Sequence, residues 1–347
     1  LLVFIWRTLY YLVLEYGIFN QKIALMGSTD LAKKIYDEIH DKWECGYEIK
    51  LFISENSPNQ VLNENKPVPT ILLDDGCNLL RKELMNLGIK KIVVALQEKR
   101  NRFPLKDLLD CRVGGIKIID GNSFFETLTG KLSVEQINPG WLIYSEGFRH
   151  SHLKRYLKRM LDLIISSTMI VLFLPFIVFL VIIIKIDSRG PVLFSQERVG
   201  EKKKPYRIYK FRSMIDDAER QSGPKWAEDN DPRLTRVGKF IRQWRMDEIP
   251  QLLNVVKGEM SFVGPRPERK FFVEKLEKKI PYYGKRFTVK PGLTGWAQVS
   301  YGYGSSIEDA TEKLNYELFY IKNMSIFMDL VIILRTIKIV LLSKGAR

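Results

Sequence analysis

Short apolar runs alternate with helical patterns along the first third of the chain. Runs typical of buried strands occur at Lys22–Met26, Gly46–Ile53, Lys91–Leu96 and Ile116–Ile119. Apolar residues at helical spacing occur between them, at Leu31–Ile39, Leu79–Leu87 and Leu105–Asp110. Strands that alternate with helices predict a parallel sheet with helices on both faces. We therefore predict an α/β, Rossmann-like domain over residues 21–125, followed by a linker over residues 126–152.

The first 20 residues have a different character. Leu1 to Tyr16 is apolar and is interrupted by Arg7 and Glu15, which predicts the end of a membrane helix and a linker helix over residues 1–20. Because the sequence begins with Leu1 inside an apolar stretch, we expect it to be a fragment with further membrane helices upstream.

A second apolar segment, Leu163 to Ile184, contains 22 residues without a charge, which is long enough to cross a bilayer core. Pro175 lies near its centre and is expected to bend a helix, because proline removes a backbone hydrogen bond. The segments on both sides of it are basic, whereas a simple span has asymmetric flanks. We therefore predict a re-entrant, proline-broken membrane helix over residues 160–186, which enters and leaves on the cytoplasmic side.

The rest of the chain predicts a membrane-associated α+β catalytic domain over residues 153–347. Strands are predicted at Val192–Ser195 and Arg207–Arg212, and helices at Val237–Trp244, Phe271–Lys279 and Met324–Leu342. The polar stretch Asp216–Asp231 contains proline breaks, which predict a loop with a short helix.

The charge balance limits the choice of partners. The 347 residues carry a formal net charge of +15 and a sequence pI of about 9.5, which favours anionic partners such as acidic lipids or phosphorylated substrates. Nucleic acid is not expected, because the sequence contains no nucleic-acid-binding motif. The three cysteines have no paired spacing and indicate reduced thiols.

Two adjacent carboxylates, Asp247 and Glu248, lie just before Pro250, where a short helix is predicted to begin. Arg242 and Arg266 add fixed positive charge nearby. Carboxylates beside arginines suit chemistry on a phosphate, especially with a divalent metal held by the carboxylates. An acidic pair alone is more often a solvated surface feature, so the surrounding motifs decide the interpretation.

The N-terminal domain lacks a complete phosphate-binding loop. Gly27 matches the first glycine of G-x-G-x-x-G, but Thr29 and Ala32 replace the other two. Tyr206-x-x-x-Lys210 matches a dehydrogenase pair but lies outside this domain. These departures disfavour a nucleotide-sugar epimerase or oxidoreductase, which is kept as the alternative function. A non-catalytic membrane scaffold is a second alternative.

Six motifs in order resemble the bacterial sugar transferases that begin polysaccharide assembly, the monotopic phosphoglycosyl transferases. They are the proline-broken helix, Asp187-Ser188-x-Gly190-Pro191-Val192, Tyr209 to Met214, Asp247 to Leu252, Gly264-Pro265-Arg266-Pro267 and Lys290 to Trp296. Lys22 to Phe148 is similar to the domain that precedes the catalytic part in the long members, the exopolysaccharide polyprenyl glycosylphosphotransferases.

The resemblance implies that a sugar 1-phosphate moves from a UDP-sugar to undecaprenyl phosphate at the bacterial inner (cytoplasmic) membrane, with release of UMP. Asp247 would be the nucleophile that forms an aspartyl-phosphosugar intermediate, and Asp247 and Glu248 would hold Mg²⁺. The residues implied to bind substrate phosphate or to support the two carboxylates are Lys210, Arg212, Arg242 and Arg266. Membrane lipid is an expected partner, and a second copy of the chain is a further candidate.

Two residues depart from the family pattern. Leu174 stands where the family usually has a serine before the helix-breaking proline, and Arg245 stands where it often has a serine before the carboxylates. We expect Arg245 to change the phosphate contacts and leave the nucleophile unchanged.

Overall fold

The computed structural model describes residues 20–42, 45–54, 68–72, 77–96, 104–136, 147–148, 151–215, 233–302, 304 and 306–342. The chain separates into two compact units, Leu1–Gln136 and Ile137–Arg347, and each is described by itself. The predictions for residues 1–19 and for Asp216–Asp231 lie outside the described residues.

The first unit contains a five-stranded parallel sheet in the order β3-β2-β1-β4-β5. Its strands are β1 (Gln21–Met26), β2 (Tyr47–Ser54), β3 (Thr70–Leu72), β4 (Lys91–Val94) and β5 (Lys117–Asp120). Its helices are α1 (Asp30–Asp41), α2 (Cys77–Asn86), α3 (Leu105–Val113) and α4 (Gly121–Thr129), and a 3₁₀ turn follows at Val134–Gln136.

Side chains of the central strand alternate between two apolar cores, because successive strand residues point to opposite faces. Ile23 and Leu25 pack with α1 and α4, whereas Ala24 and Met26 pack with α2 and α3. Residues Ile23 to Met26 are therefore all buried, which is typical of a parallel strand covered on both faces. This arrangement confirms the predicted parallel sheet with helices on both of its faces.

Strand β3 and helix α4 of the first unit were not predicted. Strand β3 has only three residues and follows Pro67 and Pro69, so its sequence carries little strand signal. Helix α4 begins after Asp120, which accepts a hydrogen bond from the amide of Ser123, and it runs past residue 125 into the predicted linker.

The turn after β1 is closed by its own side chains. Thr29 accepts a hydrogen bond of 3.3 Å from the amide of Ala32 at the start of α1, and donates one of 2.7 Å to the carbonyl of Ala95. Gly27 has φ of +119°, and a β-carbon there would collide with the carbonyl of Ala95. Thr29 thus caps the N-terminus of α1, the position at which a dinucleotide-binding domain binds the pyrophosphate.

The second unit contains a long helix, α5 (His152–Asp187), which has 36 residues and contains Pro175. Among the described residues it is the one helix long and apolar enough to cross a membrane. The other helices are α6 (Arg236–Gln243), α7 (Gln251–Lys257), α8 (Lys270–Glu277), α9 (Trp296–Ser300), α10 (Ile307–Asn323) and α11 (Ile326–Leu341). The strands are β6 (Leu193–Val199), β7 (Pro205–Phe211), β8 (Ser261–Val263) and β9 (Gly292–Thr294).

Short 3₁₀ segments complete the second unit, at Glu201–Lys203, Met246–Glu248 and Tyr283–Thr288. Strands β6 and β7 form an antiparallel hairpin, and β8 pairs with β9 in parallel. Helix α10 was not predicted, although Ser306 and Asp309 form a capping box at its start that signals a helix N-terminus.

The N-terminal end of α5 is attached to the second unit by charged side chains. Nζ of Lys158 lies 2.8 Å from Oδ2 of Asp329 on α11. Arg159 donates hydrogen bonds of 2.6 and 2.8 Å to the carbonyls of Val255 and Val256, at the end of α7. Asp162 is buried and accepts bonds from the hydroxyl of Ser261 and the amide of Phe262 on β8.

The C-terminal end of α5 packs on the same unit. Leu180 and Ile184 are buried in an apolar cluster with Phe211 and Ile241. Oδ2 of Asp187 accepts a hydrogen bond of 3.2 Å from the amide of Val237, at the start of α6. Between the two ends, the apolar side chains Ile164, Val171, Leu172, Leu174, Val178, Phe179 and Ile182 are exposed.

Candidate active site

The two adjacent carboxylates lie in the tight turn Met246–Glu248, between α6 and α7. Arg245 precedes this turn with φ of +55°, in the left-handed region that a side chain with a β-carbon rarely adopts. Met246 and Ile249, on either side of the carboxylates, pack against the cluster that includes Leu180 and Ile184. The chain reversal thus places Asp247 and Glu248 directly beside the C-terminal half of α5.

Two cations converge on a single oxygen of Glu248. Nζ of Lys210, near the end of β7, lies 2.8 Å from Oε1, and Nη2 of Arg266, in the loop after β8, lies 2.9 Å from the same atom. Asp247 is more loosely held, because its nearest cation is Lys210 at 3.6 Å and no described residue donates a hydrogen bond to its carboxylate.

The two carboxyl groups differ in pKa, although both are buried. Burial is the largest influence on Asp247 and raises its pKa, since the opposing charge of Lys210 does not outweigh it. Burial acts on Glu248 in the same direction, but the charges of Arg266 and Lys210 outweigh it and hold the pKa of that carboxyl well below its ordinary value. Glu248 is therefore kept ionised by two neighbouring cations. Asp247 is a buried carboxylate that is held less closely, since its nearest cation lies at 3.6 Å.

The loop that carries Arg266 is held against the turn before β9. The amide of Gly264 donates to the carbonyl of Thr294 at 2.9 Å, and the amide of Gly292 donates to the carbonyl of Pro265 at 2.8 Å. A β-carbon at Gly264 would lie 2.5 Å from the carbonyl oxygen of Lys290, so the close approach requires glycine. These contacts join two of the sequence motifs into one rigid support for Arg266.

The other two predicted phosphate ligands lie differently. Nε of Arg242 donates a hydrogen bond of 2.9 Å to the hydroxyl of Ser213, and its charge still acts to lower the pKa of Asp247. Nη2 of Arg212 donates to the carbonyl and the hydroxyl of Ser188, at 2.6 and 2.8 Å, immediately after α5. Arg212 is thus not among the cations that contact the carboxylates.

Arg245, which the sequence predicts to change the phosphate contacts, adds a further charge beside the two carboxylates. Its pKa is lowered, first by burial and then by the neighbouring charge of Arg266, while Glu248 and Asp247 oppose that shift. The cations that act electrostatically on the two carboxylates are Lys210, Arg242, Arg245 and Arg266. Positive charge therefore exceeds negative charge here, which suits an anionic ligand such as a diphosphate.

A divalent metal would have few protein ligands at this site. In the described part of the chain, no three His, Cys, Asp or Glu side chains lie together so that they could hold a metal ion. Mg²⁺, however, is usually bound through one or two carboxylates together with substrate phosphates and water. The Asp247 carboxylate and the second oxygen of Glu248 receive no hydrogen bond from a described residue, so these two side chains fit such a shared ion.

A profile of the family described as "Bacterial sugar transferase" matches residues 153–343, which is more than half of the chain. The chain belongs to the bacterial sugar transferase family. The match begins at the first turn of α5 and ends just after α11, so the long helix and the site lie within the matched region.

Relatives of the chain carry names that specify a reaction. A UDP-N-acetylgalactosamine-undecaprenyl-phosphate N-acetylgalactosaminephosphotransferase of Aeromonas hydrophila is 40% identical over 240 residues, which are 69% of this chain and 56% of that protein. A UDP-glucose:undecaprenyl-phosphate glucose-1-phosphate transferase of Escherichia coli (strain K12) is 38% identical over 189 residues, 54% of this chain and 40% of that protein. The chain thus spans about half the length of these relatives or less.

A shorter relative is matched over nearly its whole length. The exopolysaccharide production protein PSS of Rhizobium leguminosarum bv. phaseoli is 40% identical over 186 residues, which are 52% of this chain and 93% of that protein. Half of this chain matches nearly all of that relative. The relative therefore has little room for counterparts of both units.

Proposed function

We propose that the chain transfers a sugar 1-phosphate from a UDP-sugar to undecaprenyl phosphate and releases UMP. Membership of the family and the names of the relatives support this reaction class. The observation that carries the assignment of roles is the unequal holding of the two carboxylates. Lys210 and Arg266 hydrogen-bond to Glu248, whereas Asp247 has a longer ion pair of 3.6 Å with Lys210.

In the first half-reaction, an oxygen of Asp247 attacks the phosphorus that bears the sugar. The bond from that phosphorus to the UMP oxygen breaks, UMP leaves, and an acyl phosphate joins Asp247 to the sugar phosphate. In the second, a phosphate oxygen of the lipid attacks the same phosphorus and the bond to Asp247 breaks. The carboxylate is thereby restored, and the product is a lipid diphosphate sugar.

The surrounding cations have separate roles in this scheme. Lys210 and Arg266 hold Glu248 ionised, while Arg242 and Arg245 lie where they add positive charge for the diphosphate. Glu248 and Asp247 would hold Mg²⁺, which when bound would offset charge on the diphosphate. Burial of Asp247 removes water that would otherwise stabilise its negative charge, which favours attack by the carboxylate.

Both ends of α5 contact the same folded unit, which supports a re-entrant path through the membrane. Asp162 and Asp187 are separated by about 38 Å along a helix that rises 1.5 Å per residue, whereas a bilayer core is about 30 Å thick. A straight crossing would place these ends on opposite faces, yet both bond to second-unit elements. We infer that both ends lie at the cytoplasmic face of the inner membrane, with the exposed apolar residues in lipid.

This path brings donor and acceptor together. The residues that flank the carboxylates pack on the C-terminal half of α5, so the site lies at the level where that helix leaves the lipid. A phosphate at the end of a membrane-anchored chain reaches such a site without the lipid leaving the bilayer. Undecaprenyl phosphate is therefore the acceptor that fits this position.

The first unit is assigned no catalytic role. Its strand order reverses direction at β1, as in Rossmann-like folds, and we infer a Rossmann-like domain from that order. Thr29 caps α1 and binds the Ala95 carbonyl, which argues against a dinucleotide cofactor and against the epimerase or oxidoreductase alternative.

Mass spectrometry of the full chain, incubated in detergent with a UDP-sugar and no lipid acceptor, tests the proposal. We expect UMP release and a phosphosugar adduct on Asp247. Asp247→Asn keeps the side-chain shape and should abolish both, and Glu248→Gln should slow adduct formation severely. An adduct on Glu248 would reverse the two roles, and turnover with lipid but without any adduct would mean direct attack by the lipid phosphate.

A further inference from the structure

The two cations on Oε1 of Glu248 reach it from separate elements, Lys210 from strand β7 and Arg266 from the loop after β8. Each side chain is long and flexible, and holding both on one oxygen costs conformational entropy unless their backbones are fixed. The structure contains a buried polar contact at each of these backbones.

Asn254, on α7, fixes the strand that carries Lys210. Its Oδ1 accepts a hydrogen bond of 3.2 Å from the amide of Tyr209, and its Nδ2 donates one of 2.7 Å to the carbonyl of Arg207. The side-chain amide therefore pairs with β7 as a neighbouring strand would, on the edge that β6 does not occupy. Asn254 has no exposed surface, and Nδ2 also donates to Glu259 at 2.7 Å.

Arg286, in the segment Tyr283–Thr288, fixes the loop that carries Arg266. Nη2 of Arg286 donates to the backbone carbonyl of Arg266 and to Oε1 of Glu317 on α10, both at 2.8 Å. Nη1 donates to the hydroxyl of Tyr283. The Arg286 and Glu317 side chains are only 5% and 6% exposed, so the ion pair is shielded from water.

A purely structural explanation accounts poorly for Arg286. Its Nε is buried and has no hydrogen-bond partner among the residues that the structure describes. A buried ion pair is often no more stabilising than apolar residues of the same size. The hydrogen bond from Arg286 to the carbonyl of Arg266 is a better explanation for a buried guanidinium at this position. Glu317, whose pKa is raised chiefly by burial, supplies the charge that keeps Arg286 in place.

We propose that Asn254 and Arg286 are positioning residues, each of which fixes one of the two cations on Glu248. Asn254 acts through Lys210, and Arg286 acts through Arg266. The proposal rests on the proposed transferase function for its kinetic test, and it predicts two separate couplings and no coupling between them.

Double-variant cycles of kcat and KM in the full chain test the proposal. Arg286→Lys keeps the charge that pairs with Glu317 but loses the two-pronged donor. Asn254→Asp keeps the acceptor for Tyr209 but loses the donor to Arg207 and to Glu259. Each is combined with Arg266→Lys and with Lys210→Arg. We expect each single change to lower kcat more than it raises KM, because Asn254 and Arg286 act through Lys210 and Arg266 and are assigned no contact with the donor's uridine or sugar.

The expected pattern is specific. Adding Arg286→Lys to the Arg266→Lys chain should change kcat/KM by less than about threefold. Adding it to the Lys210→Arg chain should give a loss in kcat/KM equal to the product of the two single losses. Asn254→Asp should show the reverse pattern. Multiplied losses in all four combinations, or a loss that follows thermal stability alone, would overturn the proposal.

Thermal unfolding gives a readout that does not need activity. Glu248→Gln removes the carboxylate on which the cations converge, so its effect on Tm should differ between the wild-type chain and the Arg286→Lys and Asn254→Asp chains. Identical Tm shifts in all three backgrounds would contradict positioning. Absence of UMP release by the wild-type chain would instead contradict the proposed function, and the unfolding cycle would still test the positioning residues.

Discussion

The ion pair between Lys158 on α5 and Asp329 on α11 allows a quantitative test of how the long helix is attached. Nζ of Lys158 lies 2.8 Å from Oδ2 of Asp329, while Oδ1 accepts a bond of 2.7 Å from the hydroxyl of Tyr320. The two side chains are 13% and 2% exposed. Lys158→Met preserves most of the side-chain volume and leaves the Asp329 charge buried without its counter-ion.

Lys158→Met is expected to lower the free energy of unfolding by a large amount. Removing one partner of a buried ion pair costs about 3–5 kcal/mol, and the partial exposure of Lys158 favours the lower end. A change of 1 kcal/mol shifts Tm by about 2–4 °C in a domain of roughly 150–250 residues, so Lys158→Met should lower Tm by about 10 °C. Asp329→Asn in the same chain removes the second charge and should recover most of the loss.

The loss should also depend on pH. Burial raises the pKa of Asp329 and Lys158 is the largest influence that opposes it, so Lys158→Met raises that pKa further. A carboxyl group whose pKa is higher in the folded than in the unfolded chain binds its proton more tightly when folded, and stability falls as pH rises through that pKa. The deficit in Tm should therefore be smaller in acidic buffer and should grow as the pH is raised.

Thermal unfolding of the full chain in detergent measures these effects. Lys154→Met is the matched control, because Lys154 is an exposed lysine one turn earlier on the same helix. The reasoning would be refuted if Lys158→Met lowered Tm no more than this control. It would also be refuted if the chain with Lys158→Met and Asp329→Asn lost the sum of the two single effects.

Three further predictions concern the start of the second unit, the membrane helix and the site. A chain that starts at Ser151, the N-cap of α5, should retain UMP release, since every residue at the site lies beyond it; a folded but inactive product would contradict this. Cysteines at Tyr156 and Ile186, both exposed, should be labelled from the same side of the membrane, and Pro175→Leu should move one of them to the other side. Lys210→Met should shift the acid limb of the kcat/KM profile to higher pH, because Lys210 is the largest influence opposing the raised pKa of Asp247; an unmoved limb would contradict this.

The elements of the chain were largely readable from the order of apolar and polar residues. The four predicted strands of the first unit and the helices between them are present within a few residues of their predicted bounds, because continuous apolar runs are required where both faces of a sheet are covered. The pattern was weakest at β3, where three residues next to prolines give no periodicity. It also led us to end the first domain before α4 is complete.

The site was only partly determined by the sequence. The motifs indicated Asp247, Glu248, Lys210 and Arg266, and the fold does bring these four side chains together. Only the tertiary structure decided that Lys210 and Arg266 share one oxygen of Glu248, and that Arg212 bonds to Ser188 instead. Distance between side chains depends on how separate elements pack, which residue spacing along one chain does not specify.

The sequence by itself thus determined which elements form and which residue types carry the chemistry, because periodicity and local propensity act over a few turns of chain. The tertiary structure decided which of the two adjacent carboxylates is bound by two cations and which is held less closely. That choice depends on contacts such as Asn254 with β7 and Arg286 with the Arg266 carbonyl, between residues far apart in sequence. Burial then separates the two pKa values, since an ion loses water in the interior and only a neighbouring charge replaces it.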